Sequence, residues 1–276
     1  MKKKIIFLDI DGTLTEPGSN EPPKSALFAI RKARELGHSV FLCTGRNFNM
    51  LSPLLKYDWD GFVASSGGYI KCGPNVIYDC PMSEKQRRTA MDVLKENGVF
   101  RTVECKDGSY TDEGFKAFLK EHAKEGGNSE LLRWREQIEH ALKIRPMKEY
   151  GGQPVYKIVI MSPSYDHLTE PKRVLEKEFA FCIQNEDRAG WINGEIVNRN
   201  FDKGKAIERV CSFLHVPIED TAAIGDSMND REMLEMAGFG ICMENGSESL
   251  KETADDICPS LTDDGIYKAF LKYKFI

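Results

Sequence analysis

This chain of 276 residues lacks long apolar runs and any excess of basic residues. No run approaches the roughly 20 apolar residues that a membrane-spanning helix needs. Asp9 and Asp11 interrupt the apolar stretch near the start before it reaches the length of a signal sequence. The formal net charge of -5 offers no basic surface for a nucleic-acid backbone and repels an anionic membrane. We therefore expect no nucleic-acid partner, no membrane association and a cytoplasmic location.

Paired cysteines are also missing. The eight cysteines occur singly, without a CxxC pair, which excludes a zinc knuckle or a thioredoxin-like site. Isolated cysteines mostly pack as small buried apolar side chains, and thiols in this number suit a reducing compartment. Internal repeats are absent, and a hydrophobic content of 41% with a charged content of 29% is that of an ordinary globular protein. The length allows roughly one to two domains.

Short apolar runs alternate with helical patterns in the first and last thirds of the chain. The predicted strands are 5–8, 40–43, 61–65, 221–224 and 239–243. Predicted helices begin at Lys24 and Arg231, and apolar residues between 207 and 214 recur at helical spacing. The first of these helices stops at Gly37, a residue type typical of the position after a helix end. Apolar strands that alternate with helices predict a parallel, doubly wound α/β sheet.

The middle of the chain follows a different pattern. The predicted elements there are helices over 84–97 and 166–178, strands over 99–105, 156–161 and 179–183, and a polar, helix-rich stretch through Leu142. This segment is too long for a single crossover between neighbouring strands. We therefore predict a core formed by residues 1–81 and 191–276, which carries an inserted α+β domain formed by residues 82–190.

Acidic residues follow the first predicted strand. In an extended chain, residues two apart point to the same side, so Asp9 and Asp11 can face one pocket, and Gly12 allows a tight turn after them. An EF-hand is excluded because Thr13 stands at the third acidic position and no glutamate closes the loop. A simple polar turn also fits the pattern. Two aspartates against an apolar strand are electrostatically costly without a cation, however, which favours a metal site.

A second acidic cluster, Gly-Asp-Ser-Met-Asn-Asp at 225–230, follows the strand that ends at Ile224. Ser227 and Asp230 have the spacing of a helix capping box, with Asp in place of the usual Glu. That interpretation leaves Asp226 and Asn229 unexplained, and both carry oxygen atoms that can bind a cation.

Two further sets of residues suit a phosphate. Thr44, Gly45 and Arg46 follow the second strand, where threonine either caps the next helix or binds a phosphate together with backbone N–H groups. Lys203 is either an ordinary surface lysine or a functional one. It lies in the first turn of a predicted helix, after Asp202 as N-cap, where a cation opposes the helix dipole.

Three of the four sets lie at the carboxyl ends of strands, where open α/β sheets bind ligands. Together they predict a site for Mg²⁺ and a phosphate.

In chain order, these residues form four motifs: Asp9-x-Asp11-Gly-Thr, Thr44-Gly45-Arg46, Lys203-Gly204 and Gly225-Asp226-x-x-Asn229-Asp230. In these motifs the chain resembles the haloacid-dehalogenase (HAD) superfamily of phosphotransferases, and specifically its Cof-like branch with a C2B-type cap. Asp255 and the segment 264–266 are similar to the C-terminal pattern of that branch. The resemblance covers nearly the whole chain and implies a Rossmann-like HAD core with the inserted domain as its cap. One departure is Ser-Gly-Gly at 66–68, where relatives usually carry Asn-Gly, so the donor at position 66 is shorter.

The resemblance implies a role for each residue of the motifs. Asp9 is the expected nucleophile, and Asp11 is the expected general acid and base. Mg²⁺ is expected on the side chains of Asp9 and Asp226 and on the backbone carbonyl of Asp11.

The same resemblance implies the residues around the phosphate. Asp230 is expected to hold a metal-bound water or to orient Lys203, and Arg46 to reach the substrate or to pair with an acidic neighbour. The expected phosphate contacts are Thr44, Gly45, Lys203 and Asn229, and the candidate substrate contacts are Arg46, Ser66 and Gly67.

The implied activity is the Mg²⁺-dependent hydrolysis of a small phosphorylated metabolite, a sugar phosphate or a phosphorylated cofactor, through an aspartyl-phosphate. A phosphomutase or other phosphotransferase of the same fold is the alternative, although phosphomannomutases with this cap class carry a longer, Gly-rich fourth motif than residues 225–230. A catalytically silent phosphate sensor is less favoured, because both Asp9 and Asp11 are present. The oligomeric state stays open. In the cap, the candidates for selecting the leaving group are Arg145, Lys148, Tyr150 and Lys157.

Overall fold

The structure is a computed structural model that describes residues 2–114, 144–186 and 192–276. The chain divides into two compact units. The first unit consists of Met1–Arg46, Leu51–Asp79 and Phe201–Ile276, and the second of Asn47–Met50 and Cys80–Asn200. Among the helices that the structure describes, none has the length and apolar character that crossing a membrane requires.

The described elements are numbered here in chain order. The strands are β1 (Ile5–Leu8), β2 (Ser39–Cys43), β3 (Gly61–Ala64), β4 (Tyr69–Cys72), β5 (Asn75–Asp79), β6 (Phe100–Cys105), β7 (Gly108–Thr111), β8 (Ile144–Pro146), β9 (Val155–Ser162), β10 (Phe179–Glu186), β11 (Ile192–Asn198), β12 (Thr221–Gly225), β13 (Gly240–Met243) and β14 (Asp256–Cys258). The α-helices are α1 (Lys24–Glu35), α2 (Phe48–Leu51), α3 (Glu84–Glu96), α4 (Asp166–Leu175), α5 (Lys203–Leu214), α6 (Arg231–Met236), α7 (Glu248–Lys251) and α8 (Gly265–Lys272).

The first unit is built on an eight-stranded sheet in the order β14-β13-β12-β1-β2-β3-β4-β5. All neighbours from β14 to β3 are parallel, and β4 and β5 add an antiparallel hairpin at one edge. Every residue of β1, β12 and β13 is buried, as expected for parallel strands that are covered on both faces. The prediction of a doubly wound, Rossmann-like α/β core is confirmed.

Two predicted helix boundaries of the first unit agree with the structure. Helix α1 begins at Lys24 and ends just before Gly37. Helix α5 begins at Lys203, and the carboxylate of its N-cap residue, Asp202, accepts a hydrogen bond from the Lys205 backbone N–H at 2.7 Å. Such a cap satisfies a backbone donor that has no partner inside the helix. It fixes the start of α5 and therefore the position of Lys203.

The second unit is built on a six-stranded sheet in the order β10-β11-β9-β6-β7-β8. Its neighbours are antiparallel except for β7 and β8. Helix α3 starts with a capping box between Ser83 and Gln86. The apolar residues of α3 and α4 form one buried cluster with those of β6, β9 and β11. The unit therefore has the α+β composition expected of the inserted domain.

Two features of the described residues differ from the sequence prediction. Strand β11 pairs with both β9 and β10, so it belongs to the second unit. The boundary on that side therefore lies between Asn200 and Phe201 instead of between residues 190 and 191. Strand β7 occupies the beginning of the stretch predicted to be rich in helices. Residues 115–142 of that stretch lie outside the described residues.

Candidate active site

The candidate site lies at the carboxyl ends of β1, β2 and β12. Strand β1 is the middle one of the three: Leu8 pairs with Leu42 on one side and with Ile224 on the other. The Asp9 backbone N–H continues this pairing and donates to the Ile224 carbonyl oxygen at 3.0 Å. The motifs that follow these strands therefore meet at one edge of the sheet, where α/β proteins bind ligands.

A buried ammonium group joins two carboxylates at this edge. Lys203 Nζ lies 2.7 Å from Asp9 Oδ1 and 2.5 Å from Asp230 Oδ1. It also donates to Asn229 Oδ1 at 3.3 Å. Only 1% of Lys203 is exposed, so these contacts replace the water that a lysine normally keeps. The four residues come from α5, the end of β1 and the turn after β12, as the motif spacing predicts.

Both carboxylate oxygens of Asp230 bond to protein groups. Its Oδ1 pairs with Lys203, and its Oδ2 accepts hydrogen bonds from the backbone N–H groups of Asp226 and Ser227, each at 3.1 Å. The geometry matches the second of the two roles considered for this residue, the orientation of Lys203. It also includes the contact between Asp230 and the Ser227 N–H that the capping-box interpretation requires.

Asp226 lies against the loop that follows β1. Thr13 Oγ1 donates to Asp226 Oδ1 at 2.8 Å. Gly12 has a φ of +87°, and a Cβ atom at this position would lie 2.3 Å from Asp226 Oδ2. Both the backbone angle and the close approach therefore require glycine. One oxygen from each of Asp9, Asp226 and Asp230 lies within 4.8 Å of the others.

The crowding of negative charge changes the acidity of these groups. Burial, together with the charge of Asp230, raises the pKa of Asp9 from 3.8 to about 7 despite the opposing effect of Lys203. Burial and the charges of Asp9 and Asp230 raise the pKa of Asp226 well above its ordinary value. Burial alone lowers the pKa of Lys203, but the two carboxylates outweigh it and hold the pKa well above 10.5. The cluster thus carries more negative charge than its single ammonium group offsets.

The donor set fits a hard divalent cation. Three buried carboxylates share a space in which their oxygens approach one another, and oxygen ligands are those that Mg²⁺ prefers. A cation there would remove the repulsion that raises the pKa values of Asp9 and Asp226. Asp9 and Asp226 are two of the predicted metal ligands. Asp11, the third predicted ligand, would bind through its backbone carbonyl.

The Asp11 side chain lies in a separate ion pair with Arg46. Arg46 Nε donates to Asp11 Oδ2 at 2.8 Å, and its Nη2 donates to Asp11 Oδ1 at 2.7 Å. The other contacts of this fully buried guanidinium are to Asn20 Oδ1 at 2.7 Å and to the Ser19 carbonyl at 2.8 Å. Of the two predicted roles for Arg46, the structure therefore displays the pairing with an acidic neighbour.

Thr44 and Ser66 are linked through their backbones. The Ser66 N–H donates to the Thr44 carbonyl at 3.0 Å, and Thr44 Oγ1 accepts from the Arg46 N–H at 3.1 Å. Ser66 lies in a 3₁₀ turn, Ser65–Gly67, with a φ of +56°. Its buried Oγ has no hydrogen-bond partner among the residues that the structure describes. Both residues belong to the first unit, as do all the predicted core motifs.

The predicted cap residues make contacts within the second unit. Arg145 pairs with Asp107 at 2.8 Å. Lys157 is completely buried and donates to Glu195 Oε1 at 2.6 Å. Tyr150 donates its hydroxyl to a backbone carbonyl at 2.7 Å, and Lys148 lies on the surface, 3.6 Å from a glutamate. None of these contacts joins two of the four side chains.

Several residues that hold the site were not singled out from the sequence. They are Thr13, Gly18, Ser19, Asn20 and Asn245. Thr13 is part of the first motif, but the resemblance implies no role for it. The others lie in loops whose composition indicates a turn and nothing more, so no sequence signal pointed to their contacts.

Comparison with known families decides the class of the protein. The chain matches the haloacid dehalogenase-like hydrolases over residues 6–270. The chain belongs to this family. The resemblance and the fold class predicted from the sequence are thereby confirmed.

Curated relatives of this HAD-like hydrolase are named phosphatases. The putative phosphatase YkrA of Bacillus subtilis is 26% identical over 273 residues, which cover 96% of each chain. The 5-amino-6-(5-phospho-D-ribitylamino)uracil phosphatase YwtE of the same species is 26% identical over 282 residues, which cover 95% of each chain. The solved structure of the HAD subclass IIB sugar phosphatase BT4131 has a TM-score of 0.78 at 22% identity, covers 99% of this chain and 100% of its own, and shows the shared fold. These findings confirm a hydrolase of the HAD type, and the relatives' names agree with the predicted class of phosphoric monoester hydrolase.

The raised pKa of Asp9 predicts how the stability of the metal-free hydrolase depends on pH. The unfolded chain releases this proton near pH 3.8, whereas the folded protein keeps it up to about pH 7. The folded state therefore binds more protons between these values, so this group's contribution to stability is lost as pH rises through the window. Urea unfolding in chelator is expected to show a smaller dependence of this sign in Asp9→Asn. Equal pH slopes for the two proteins would contradict the assignment.

Proposed function

We propose that this HAD-like hydrolase is a Mg²⁺-dependent phosphatase that cleaves a small phosphorylated metabolite, a sugar phosphate or a phosphorylated cofactor. The observation that carries the proposal is the buried Asp9 carboxylate, 2.7 Å from the Lys203 ammonium and within reach of two further carboxylates. The names of the relatives support the substrate class. They include a sugar phosphatase, a phosphatase of a phosphoribitylamino compound and an HMP-PP phosphatase of Yersinia pseudotuberculosis.

Asp9 acts as the nucleophile. One of its carboxylate oxygens attacks the phosphorus atom, and the bond from phosphorus to the leaving oxygen breaks as the aspartyl-phosphate forms. Because a carboxylate and a phosphate dianion repel each other, the step needs positive charge close to both. Lys203 supplies a fixed ammonium at this point, and Thr44, Gly45 and Asn229 contact the phosphoryl oxygens.

Asp9 and Asp226 would hold the Mg²⁺. Both oxygens of Asp230 already accept hydrogen bonds from protein groups, so Asp230 holds Lys203 and the turn, and the cation would fall to Asp9 and Asp226. The Asp11 backbone carbonyl would be the third protein ligand. When bound, the cation supplies positive charge that offsets the repulsion between nucleophile and phosphate.

Asp11 moves the protons. It protonates the leaving-group oxygen, then takes a proton from the water that attacks the aspartyl-phosphate, which releases phosphate and regenerates Asp9. Both Asp11 oxygens accept hydrogen bonds from Arg46 in this structure, and Oδ1 also accepts one from the Gly18 N–H at 2.7 Å, which leaves Oδ2 as the oxygen with room for a proton. Arg46 accordingly serves to orient Asp11, and substrate contacts on this side fall to Ser66 and Gly67.

A cytoplasmic location and a small-molecule partner belong to the same proposal. All eight cysteines lie in the described residues, and none of them forms a disulfide. That is expected in a reducing compartment. The net charge of -5 argues against nucleic acids as substrates or partners.

A phosphatase screen tests the proposal. The purified protein is assayed for inorganic phosphate release from sugar phosphates, phosphorylated cofactors and p-nitrophenyl phosphate, in Mg²⁺ and in chelator. We expect release that depends on Mg²⁺ and returns when the ion is restored. Transfer of the phosphoryl group to a second hydroxyl of the substrate, without release, would indicate a phosphomutase. The absence of any phosphoryl transfer in Mg²⁺ would refute the proposal.

Asp11→Asn tests the proton-transfer role. Loss of a general acid is expected to cost about 10²–10⁴-fold on an alkyl phosphate, whose leaving group needs a proton. The loss on p-nitrophenyl phosphate is expected to be smaller, because that leaving group departs as an anion. The rate constants of both substrates are compared with those of Asp92→Asn, an exposed residue of α3. Equal losses on the two substrates would rule against the acid role.

A further inference from the structure

The turn that follows β13 contacts the loop after β1 through one asparagine. Asn245 Nδ2 donates to the Gly12 carbonyl oxygen at 2.8 Å, and its Oδ1 accepts from the Leu261 backbone N–H at 2.9 Å. A flipped amide would place two donors together and two acceptors together, so the contacts fix its orientation. Asn245 lies outside the four motifs and has no role in the reaction proposed above.

The same turn also holds the backbone of Asp226. The Ser247 N–H donates to the Asp226 carbonyl oxygen at 2.9 Å. The peptide that Asn245 holds joins Gly12 to Thr13, and the Thr13 hydroxyl in turn donates to the Asp226 carboxylate at 2.8 Å. The turn therefore holds the Asp226 backbone directly, and it holds the peptide next to Thr13, whose hydroxyl bonds the Asp226 side chain.

Gly12 itself packs closely against the Asp226 carboxylate. A Cβ atom on Gly12 would lie only 2.3 Å from Asp226 Oδ2. In such close packing, a shift of the Gly12–Thr13 peptide is passed on to the carboxylate. Asn245 is the side chain that fixes the carbonyl of this peptide.

We propose that Asn245 is a positioning residue of the cation site, which orients the Asp226 carboxylate through the Gly12–Thr13 peptide. The inference rests on the proposed function, in which Asp226 binds Mg²⁺. Residues that orient metal ligands typically change metal affinity or activity by about 10–100-fold when they are replaced. The effect of replacing Asn245 is expected on Mg²⁺ affinity and on kcat, whereas KM for the phosphorylated substrate is expected to stay unchanged because both contacts of the Asn245 amide are to backbone groups of the protein.

Two substitutions distinguish a positioning role from a simple effect of charge. Asn245→Ala removes both hydrogen bonds, whereas Asn245→Asp keeps the acceptor for Leu261 and sets a carboxylate oxygen against the Gly12 carbonyl. By charge alone, the aspartate would attract a cation more strongly. Positioning gives the opposite result, weaker Mg²⁺ binding in both variants. Asn245 is solvent-exposed, so neither change opens a cavity in the core.

The experiment measures Mg²⁺ binding to the chelator-treated full chain by calorimetry, with kcat and KM on p-nitrophenyl phosphate alongside. Both variants are expected to bind Mg²⁺ about 10-fold or more weakly than the wild type. Asn75→Ala, an exposed asparagine on β5, is expected to bind as the wild type does. Wild-type affinity in either Asn245 variant, or tighter binding in Asn245→Asp, would overturn the inference. If the wild type binds Mg²⁺ but transfers no phosphoryl group, the proposed function fails while the binding series still decides the role of Asn245.

Discussion

Asp9→Asn is expected to lower the rate of phosphate release by about 10⁴-fold or more, which is the size of the loss when an enzyme's catalytic nucleophile is removed. The amide has the shape of the carboxylate, and its oxygen can still accept the hydrogen bond that Asp9 receives from Lys203. It lacks the negative charge that attacks phosphorus, so no aspartyl-phosphate forms. Because burial and Asp230 raise the pKa of Asp9 to about 7, removing this charge also relieves repulsion in the metal-free protein. The variant is therefore expected to unfold in chelator at no lower urea concentration than the wild type.

The matched control is Asp92→Asn, which makes the same chemical change at an exposed position of α3. It is expected to keep wild-type kcat. Acid quenching during turnover, followed by mass analysis of the intact protein, should detect a phosphoryl group on the wild type and on Asp92→Asn but none on Asp9→Asn. Phosphate release from Asp9→Asn at a rate near that of the wild type would exclude Asp9 as the nucleophile.

Lys203→Met is expected to lower the free energy of unfolding by about 3–5 kcal/mol, the cost of breaking a buried ion pair from one side. Methionine fills similar space but leaves the carboxylates of Asp9 and Asp230 buried without their ammonium partner. The variant should also lose activity, since no fixed cation remains beside the nucleophile. Asp9 keeps a proton below about pH 7 even in the wild type, so the destabilisation should shrink below this pH and grow above it.

Lys205→Met provides the comparison for this measurement. Lys205 lies on the same helix, its side chain is 42% exposed, and it pairs with Asp202 at 3.1 Å. An exposed pair of this kind contributes about 0–1 kcal/mol, so Lys205→Met should unfold near the wild-type urea concentration. Equal stability of the two lysine variants in chelator, over the whole pH range, would contradict the role given to Lys203.

The parallel core is predictable from the sequence because its strands are covered on both faces. Such strands read as short apolar runs, as in β1 and in residues 222–224 of β12. The β4–β5 hairpin is not predictable in this way, since β5 lies at the sheet edge and is mostly exposed. Strand β11 contains Gly194, and a glycine inside a segment weakens the prediction that the segment is a strand. Glycine is needed there because a Cβ atom would lie 2.9 Å from the Cys182 carbonyl oxygen of β10.

The site, too, is only partly predictable from the sequence. The prediction that Asp9 and Asp226 lie close together follows from one rule, that ligands bind at the carboxyl ends of parallel strands. Lys203 begins a helix, so its place beside them rests on the resemblance of the four motifs. The partner of Arg46 follows from no such rule, because the same guanidinium suits a phosphate and a carboxylate equally well. In the structure, Ser19 and Asn20 fix its position, and their placement depends on the fold of a loop that the sequence marks only as a turn.

The place of β1 in the sheet has a consequence for how the enzyme is made. One of its neighbours is close in the chain and the other is distant, since Ile5 pairs with both Ser39 and Thr221. During synthesis, the edge of β1 that later pairs with β12 stays unpaired after β2 has been made. Contacts between segments so far apart in the chain form slowly in folding. The nascent chain therefore contains Asp9 long before it contains Lys203 and the acidic turn 225–230, which complete the site around that carboxylate. Translation products that stop short of β12 should be inert.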